Sequence, residues 1–376
     1  MSPRYLAMLG NMESLHGATR LSGKRKTASV TTPLGNNAEH IEQLCAGLEL
    51  GQPGRELSRL PGGFHHRVWR LETDQGVFAI KQLAPDTDLG DVSVIAHYNV
   101  CETVARRFSE CGISVVCALG RDGEYLQLLG NEAYLVYPWT NAVALESGKL
   151  SPAHALAVAR LLATMHGANI QVPGVDAVLS QPQTGQAIED MVVVMMKRNL
   201  PGVSVLSEQL PTLLRIARRH RLALPVIARR QVISHGDLDQ KNVLWDAGGN
   251  PVLIDWESAH RLNPTYEVIL EALDWSGITA EFDSMLFTQF VGAYTEAGGT
   301  VRRDIIEAAL HYILGEWLGW LMYNVGRLVN LDDGEQRAIG EAQIDFTLPV
   351  ILRLERLRPS LLDTLARQIG SPRRPA

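Results

Sequence analysis

Apolar positions follow two different rhythms along the chain. Up to about residue 140 they fall mainly in short runs bounded by turn residues, and from Ser151 onward they recur mostly at helical spacing. Leu60–Thr73 and Val77–Leu83 are β-rich runs separated by Asp74-Gln75-Gly76, which predicts a hairpin. On its second strand Val77, Ala79, Lys81 and Leu83 share one face, and Phe78 and Ile80 the other. Ile95, Tyr98, Cys101, Ala105 and Phe108 then predict a helix from about Val94 to Ser109, flanked on its stripe by Glu102 and stopped by Gly112. Ser114–Cys117 and Tyr125–Leu129 read as further strands, and Tyr134–Thr140 as a strand broken at Pro138. Ser151-Pro152 starts a helix whose stripe is Leu156, Ala159, Leu162 and Met165, with His166 as a structural residue at its end. Arg215–Arg230, with His220 among its arginines, reads as a solvated helix face. Upstream, residues 1–37 lack periodicity and read as a flexible extension, and Ala38–Leu50 as a short helix.

A second hairpin carries the chemistry. Asn242–Trp245 and Pro251–Asp255 flank Asp246-Ala-Gly-Gly-Asn250, so Asn242 and Asp255 lie near the ends of paired strands and Asp237 on the loop feeding the first. A carboxylate able to act as a base, with an amide and a second carboxylate as oxygen donors for a hard cation, is what metal-nucleotide phosphoryl transfer requires. Caps or turn acids account for one such residue more readily than for three, with His235-Gly236 before and Trp256-Glu257 after. Upstream, Lys81 and Ala79 could cover a base while the ammonium reaches phosphates; taken by itself, an edge-strand lysine in solvent is the favoured reading of the strand. A buried acid would hold such a lysine, and Glu102 is the expected partner. Gly62-Gly63 allows backbone N–H groups to approach a phosphate, although it forms neither a Walker A sequence nor GxGxxG.

Composition narrows the classes. A chain of 376 residues, 46% hydrophobic and 20% charged, suits a globular protein of two subdomains. A net charge of −6 argues against nucleic acid as the main partner. The four cysteines form no CxxC pair and no zinc spacing, as expected of reduced thiols in a cytoplasmic protein. The most apolar stretch, Tyr312–Val329, contains Glu316, Asn324 and Arg327, and is expected to be a buried helix rather than a membrane span.

His235-Gly-Asp-Leu-x-x-x-Asn-Val-Leu244 and Ile254-Asp-Trp-Glu257 resemble the aminoglycoside phosphotransferase/choline kinase-type family, which is kinase-like in fold. The resemblance extends more loosely to Gly62-Gly63, Ile80-Lys81, Glu102 and Tyr137-Pro138, covering about residues 55 to 275. It implies an α+β, bilobal protein-kinase-like fold: a β-rich N-lobe over 38–136, a hinge at 137–141, a mostly helical C-lobe over 142–358 and a tail over 359–376. Asp237 would orient or deprotonate an acceptor hydroxyl, and Asn242 and Asp255 would hold Mg²⁺ on ATP. Gly62, Gly63, Ala79, Lys81, Glu102, Tyr137 and Trp139 would form the nucleotide site, with adenine against the backbone of about Val136–Trp139. Glu267 would brace the catalytic loop where relatives usually place an aspartate.

Gly236 stands where regulated protein kinases usually carry arginine, and eleven residues between Asp255 and Glu267 are too few for an activation segment. Both features favour a small-molecule acceptor, such as an aminoglycoside, amino alcohol, homoserine or sugar-like compound. Glu257, Glu271, Asp274, Asp283 and Glu316 are candidate acceptor contacts, with Trp275, Trp317 and Trp320 as walls; Glu257 is the one chosen among the acids, the others fitting solvated or core positions as well. The alternative function is a kinase-like nucleotide-binding pseudoenzyme or regulatory module.

Overall fold

Short strands joined by tight turns build the first part of the computed structural model, which describes residues 30–33, 38–60, 66–145, 150–330 and 334–370. In chain order these are β1 (Val30–Pro33), α1 (Ala38–Gly47), β2 (Pro53–Arg59), β3 (Arg67–Thr73), β4 (Gly76–Gln82), α2 (Val92–Glu110), β5 (Gln127–Leu129) and β6 (Glu132–Pro138). The strands form one antiparallel sheet in the order β1-β2-β3-β4-β6-β5. Thr73 faces Gly76 across the β3–β4 turn, so the expected hairpin forms. Ile41 and Leu44 of α1 pack with Leu57, Trp69, Leu71, Ile80 and Val136 of the sheet.

Helix α2 begins at an Asp91 cap whose side chain accepts from Ser93 N at 2.8 Å. Its buried residues Cys101, Val104, Ala105 and Phe108 join the core of the second part, not that of the sheet. Phe108 stacks on Trp256 with ring centroids 5.3 Å apart. The helix thereby ties the two lobes together.

After Pro138 the chain crosses to β7 (Val143–Ala144) and then to helices α3 (Pro152–Ala168), α4 (Gly185–Lys197) and α5 (Val203–Ile227). Strands β8 (Val232–Ser234), β9 (Val243–Trp245), β10 (Pro251–Leu253) and β11 (His260–Leu262) follow, then α6 (Pro264–Trp275), α7 (Ser284–Glu296), α8 (Arg303–Asn330) and α9 (Gly334–Gly370). The order β10-β9-β7 and the β11-β8 pair make two small antiparallel sheets at the edge of a helical body. Tyr312, Leu314, Trp317, Leu318, Trp320 and Leu321 are all buried, because α8 is packed by α5, α6 and α9. That surround explains its apolar sequence, and among the described residues no helix is long and apolar enough to cross a membrane.

Three stretches differ from expectation. Val30–Pro33, within the expected extension, is an edge strand paired with β2. Ser114–Cys117 does not form a continuous strand; Val115 makes one parallel bridge to Leu253, and Leu253 N donates to Ser114 O. Helix α9 runs through the expected boundary at 358/359 despite Pro349 and Pro359, held down by buried Leu361 and Leu365.

Candidate active site

Asp237 sits on the loop between β8 and β9, whose shape is set by its neighbours. Gly236 has φ +76°, and a Cβ there would lie 2.5 Å from Ser258 O and 2.8 Å from the His260 ring. Only glycine meets both conditions. The Gly236 N–H donates to Glu267 Oε1 at 3.2 Å, and Glu267 Oε2 meets His166 Nε2 at 2.6 Å. His166 Nδ1 in turn lies 2.8 Å from the Tyr294 hydroxyl. Burial disfavours the Glu267 anion, but hydrogen bonding from His166 outweighs it and holds the carboxyl below its usual range. Glu267 thus does contact the loop backbone through its longer arm. Trp275 Nε1 donates to Leu238 O at 2.9 Å from the other side.

His235 is fully buried and meets Ile254 O through Nε2 at 2.9 Å; burial pushes its pKa down, so it remains a neutral brace. Asn242 donates its amide to Asp237 twice, at 2.9 Å to the carbonyl and 2.8 Å to Oδ2. Ile254 N donates to Asn242 O at 3.1 Å, which brings Asp255 alongside. Asp255 has φ +63° and ψ +65°, a left-handed conformation uncommon for a side-chain-bearing residue and typical of functional sites.

Lys81 reaches this loop from β4. Its Nζ lies 2.7 Å from Asp255 Oδ1 and 2.8 Å from Glu257 Oε2. Burial works against the ammonium, yet the two carboxylates outweigh it and keep the proton bound above the ordinary lysine range. Glu257 also meets His66 Nε2 at 3.2 Å. Burial is outweighed here too, and Lys81 and His66 hold the carboxyl below its usual range.

Glu102 does not take the expected place beside Lys81. It accepts from the Tyr137 hydroxyl at 2.6 Å and from Ala118 N at 2.9 Å, and burial raises its carboxyl above the usual range. The reason is competition: Asp255 and Glu257 satisfy Lys81 from the opposite lobe, while a buried phenol and a backbone N–H satisfy Glu102. Ala79 stands opposite Tyr137 in the β4–β6 ladder. In the connector, Val136 O accepts from Leu119 N at 2.7 Å and Trp139 N donates to Val77 O at 3.0 Å, so two of its backbone groups are used within the lobe. The Trp139 ring carries the Arg70 guanidinium 5.2 Å from its centroid. Gly62 and Gly63 lie outside the described residues.

The other candidate acceptor residues scatter. Asp283 caps α7 by accepting from Met285 N and Leu286 N. Glu316 is buried and accepts from the Tyr266 hydroxyl at 2.5 Å. Trp275, Trp317 and Trp320 are core residues. A cavity of about 180 Å³, lined by His166, Arg230, Tyr294 and Arg302 among others, holds none of Asp237, Asn242 or Asp255. Acid, amide and lysine converge instead at the Asp237 loop. Two nearby basic side chains, Lys241 and His66, were not singled out from the sequence. Lys241 carries one visible signal, its position four residues after Asp237.

Among the described residues no three His, Cys, Asp or Glu side chains are arranged to hold a metal by themselves. An amide beside one or two carboxylates instead suits Mg²⁺, which usually takes few protein ligands and completes its shell with phosphate oxygens and water.

Residues 56–305 match the phosphotransferase enzyme family. No curated protein matches the chain. Among solved structures, a spectinomycin phosphotransferase in complex with ADP and spectinomycin is 14% identical, aligns 84% of this chain with 98% of its own, and has a TM-score of 0.59. A choline/ethanolamine kinase family protein from Mesorhizobium loti is 19% identical, over 89% of this chain and 99% of that one, at a TM-score of 0.55. An amicoumacin kinase in complex with AMP-PNP and Ca²⁺ is 10% identical, over 85% and 98%, at 0.57. These likenesses show the bilobal kinase-like fold.

Proposed function

The chain belongs to the phosphotransferase enzyme family, and from that premise we propose that it moves the γ-phosphoryl group of ATP to a hydroxyl of a small molecule. The observation that carries this reading is the meeting of Lys81 from the sheet with Asp255 and Glu257 of the loop that also presents Asn242 and Asp237. Asp237 orients the acceptor hydroxyl and receives its proton. The acceptor oxygen bonds to the γ-phosphorus as the bond from phosphorus to the bridging oxygen breaks, its electron pair leaving with ADP. With its amide nitrogen on Asp237, Asn242 would offer its carbonyl oxygen to a cation, together with Asp255; Mg²⁺ held by them would supply neutralisation of the phosphate charge. Lys81 supports the α and β phosphates, and adenine lies between Ala79 and the Tyr137–Trp139 connector.

Glu257, chosen as an acceptor contact from the sequence, is bonded to Lys81 and His66, which supports a role on the phosphate side. The absence of an activation-length segment between Asp255 and Glu267 supports a small acceptor, since α6 begins at Pro264. The retention of Lys81, Asp237, Asn242 and Asp255 supports an enzyme over a nucleotide-binding module. A coupled assay of ADP release, run across aminoglycosides, amino alcohols, sugars and nucleosides with Mg·ATP, tests the proposal. Acceptor-dependent ADP release is expected for at least one class. Nucleotide binding without turnover on any class would favour the non-catalytic reading.

A further inference from the structure

Lys81 is not the only lysine facing the acids. Lys241 lies on the single helical turn Gln240–Asn242, capped by Asp239, whose side chain accepts from Lys241 N at 3.4 Å. Its Nζ is 3.6 Å from Asp237 Oδ2, and its side chain is about one-third exposed, at 34%. Asp237, Asp239 and Asp255 all act on the ammonium electrostatically, and together they outweigh the burial that opposes its charge. The two lysines therefore approach one acid cluster from different elements. Lys81 comes from the sheet and engages Asp255 and Glu257; Lys241 comes from the loop itself and engages the carboxylate assigned to the acceptor proton.

Resting on the phosphotransferase reading above, the geometry points to Lys241 as a contact for the γ-phosphoryl group during transfer. In an in-line transfer the γ-phosphorus passes between the acceptor oxygen, held by Asp237, and the bridging oxygen of ADP. Charge spreads over its peripheral oxygens as the new phosphorus–oxygen bond forms and the old one breaks. A cation tethered within 4 Å of the proton-accepting carboxylate stands where those oxygens must come. Lys81, held by the metal-side acids, is placed for the earlier phosphates. A preorganised donor aimed at developing charge needs no rearrangement at the moment of reaction.

The test separates the γ-phosphoryl from the rest of the nucleotide. Calorimetric titrations with Mg·ADP and with Mg·AMP-PNP are run on the wild type, Lys241→Met and Lys241→Arg. The expected result is that Lys241→Met weakens AMP-PNP about tenfold or more while ADP changes less than about threefold. Lys241→Arg recovers part of the difference. With an acceptor in hand, Lys241→Met lowers kcat with little change in acceptor KM. Equal loss for both nucleotides would assign Lys241 to holding the loop together and overturn the inference, as would unchanged affinity for both. A wild type that binds neither nucleotide overturns the phosphotransferase reading and this inference with it. A wild type that binds both, paired with an unaffected Lys241→Met, overturns the lysine's role alone. ADP affinity serves as the control for folding in each variant.

Discussion

The Asp237 carboxylate is held from two sides. Asn242 donates to Oδ2 at 2.8 Å and fixes the rotamer, while the Lys241 ammonium stands 3.6 Å from the same oxygen. A base positioned in this way contributes roughly a hundredfold to ten-thousandfold in rate. Asp237→Asn keeps shape and hydrogen-bonding reach but cannot take a proton. It is expected to lower kcat by that factor while leaving Mg·ADP affinity within a few-fold, as read by calorimetry beside a coupled turnover assay; retained turnover would remove Asp237 from the role of base. The three central residues were legible because they lie within one short stretch, where a loop and a hairpin bring them together without any distant contact. The glycine before them was legible as a type but not as a cause. What forbids a side chain at Gly236 is Ser258 O and the His260 ring, brought in by the β8–β11 pair. The partner of Lys81 was illegible for the same reason, since Asp255 is 174 residues away and Glu102 was the nearer acid on a helix stripe.

At the level of elements, α5 and α8 show how a solvated-looking sequence can hide a buried seam. The arginine-rich run predicted an exposed face, yet His220 within it is 1% exposed. Its ring fills the space over Gly315 of α8, where a Cβ would come within 2.0 Å. His220 Nε2 lies 3.2 Å from Ser180 Oγ. Burial pushes its pKa down from 6.5 to about 4. In the unfolded chain the imidazole protonates near its ordinary value, so between those two pH values the unfolded state binds more protons than the folded one. Stability is therefore intact above pH 6.5 and falls as pH drops toward 4, by at most about 3 kcal/mol from this residue. Urea unfolding at pH 7 and pH 4.5 should show a smaller pH-dependent loss in His220→Gln than in the wild type. Equal losses would mean that other groups carry the acid sensitivity. Local signals had foretold the hairpins and the Ser151-Pro152 helix start, because turn chemistry and caps act over a few residues. They did not foretell β1, a four-residue edge strand stabilised by pairing with distant β2.

Across the whole molecule, two of the connections between the lobes differ in chemistry. One is apolar: α2 contributes Phe108 and its neighbours to the helical core and stacks on Trp256. The other is ionic: Lys81 of the sheet lies between Asp255 and Glu257 of the helical lobe, 12% exposed against 32% and 30% for the acids. Removing one partner of such a cluster leaves the others desolvated and uncompensated, which costs more than the net value of the pair. Asp255 is also the carboxylate assigned to a cation, so lysine and metal compete for it. In Lys81→Met the two acids lose their internal cation and their mutual repulsion rises. The variant is expected to melt at a lower temperature than the wild type. Mg²⁺ alone, without nucleotide, should then raise its melting temperature more than it raises that of the wild type, because a ligand stabilises by its affinity for the folded state. Asp255→Asn, which tolerates the left-handed backbone at this position, should abolish the extra Mg²⁺ effect in the Lys81→Met background. An Mg²⁺ shift of equal size in wild type and Lys81→Met would show that metal and lysine do not share these oxygens. The ion pair would then be a lobe contact independent of the metal, and Asp255 would lose its assignment as a ligand.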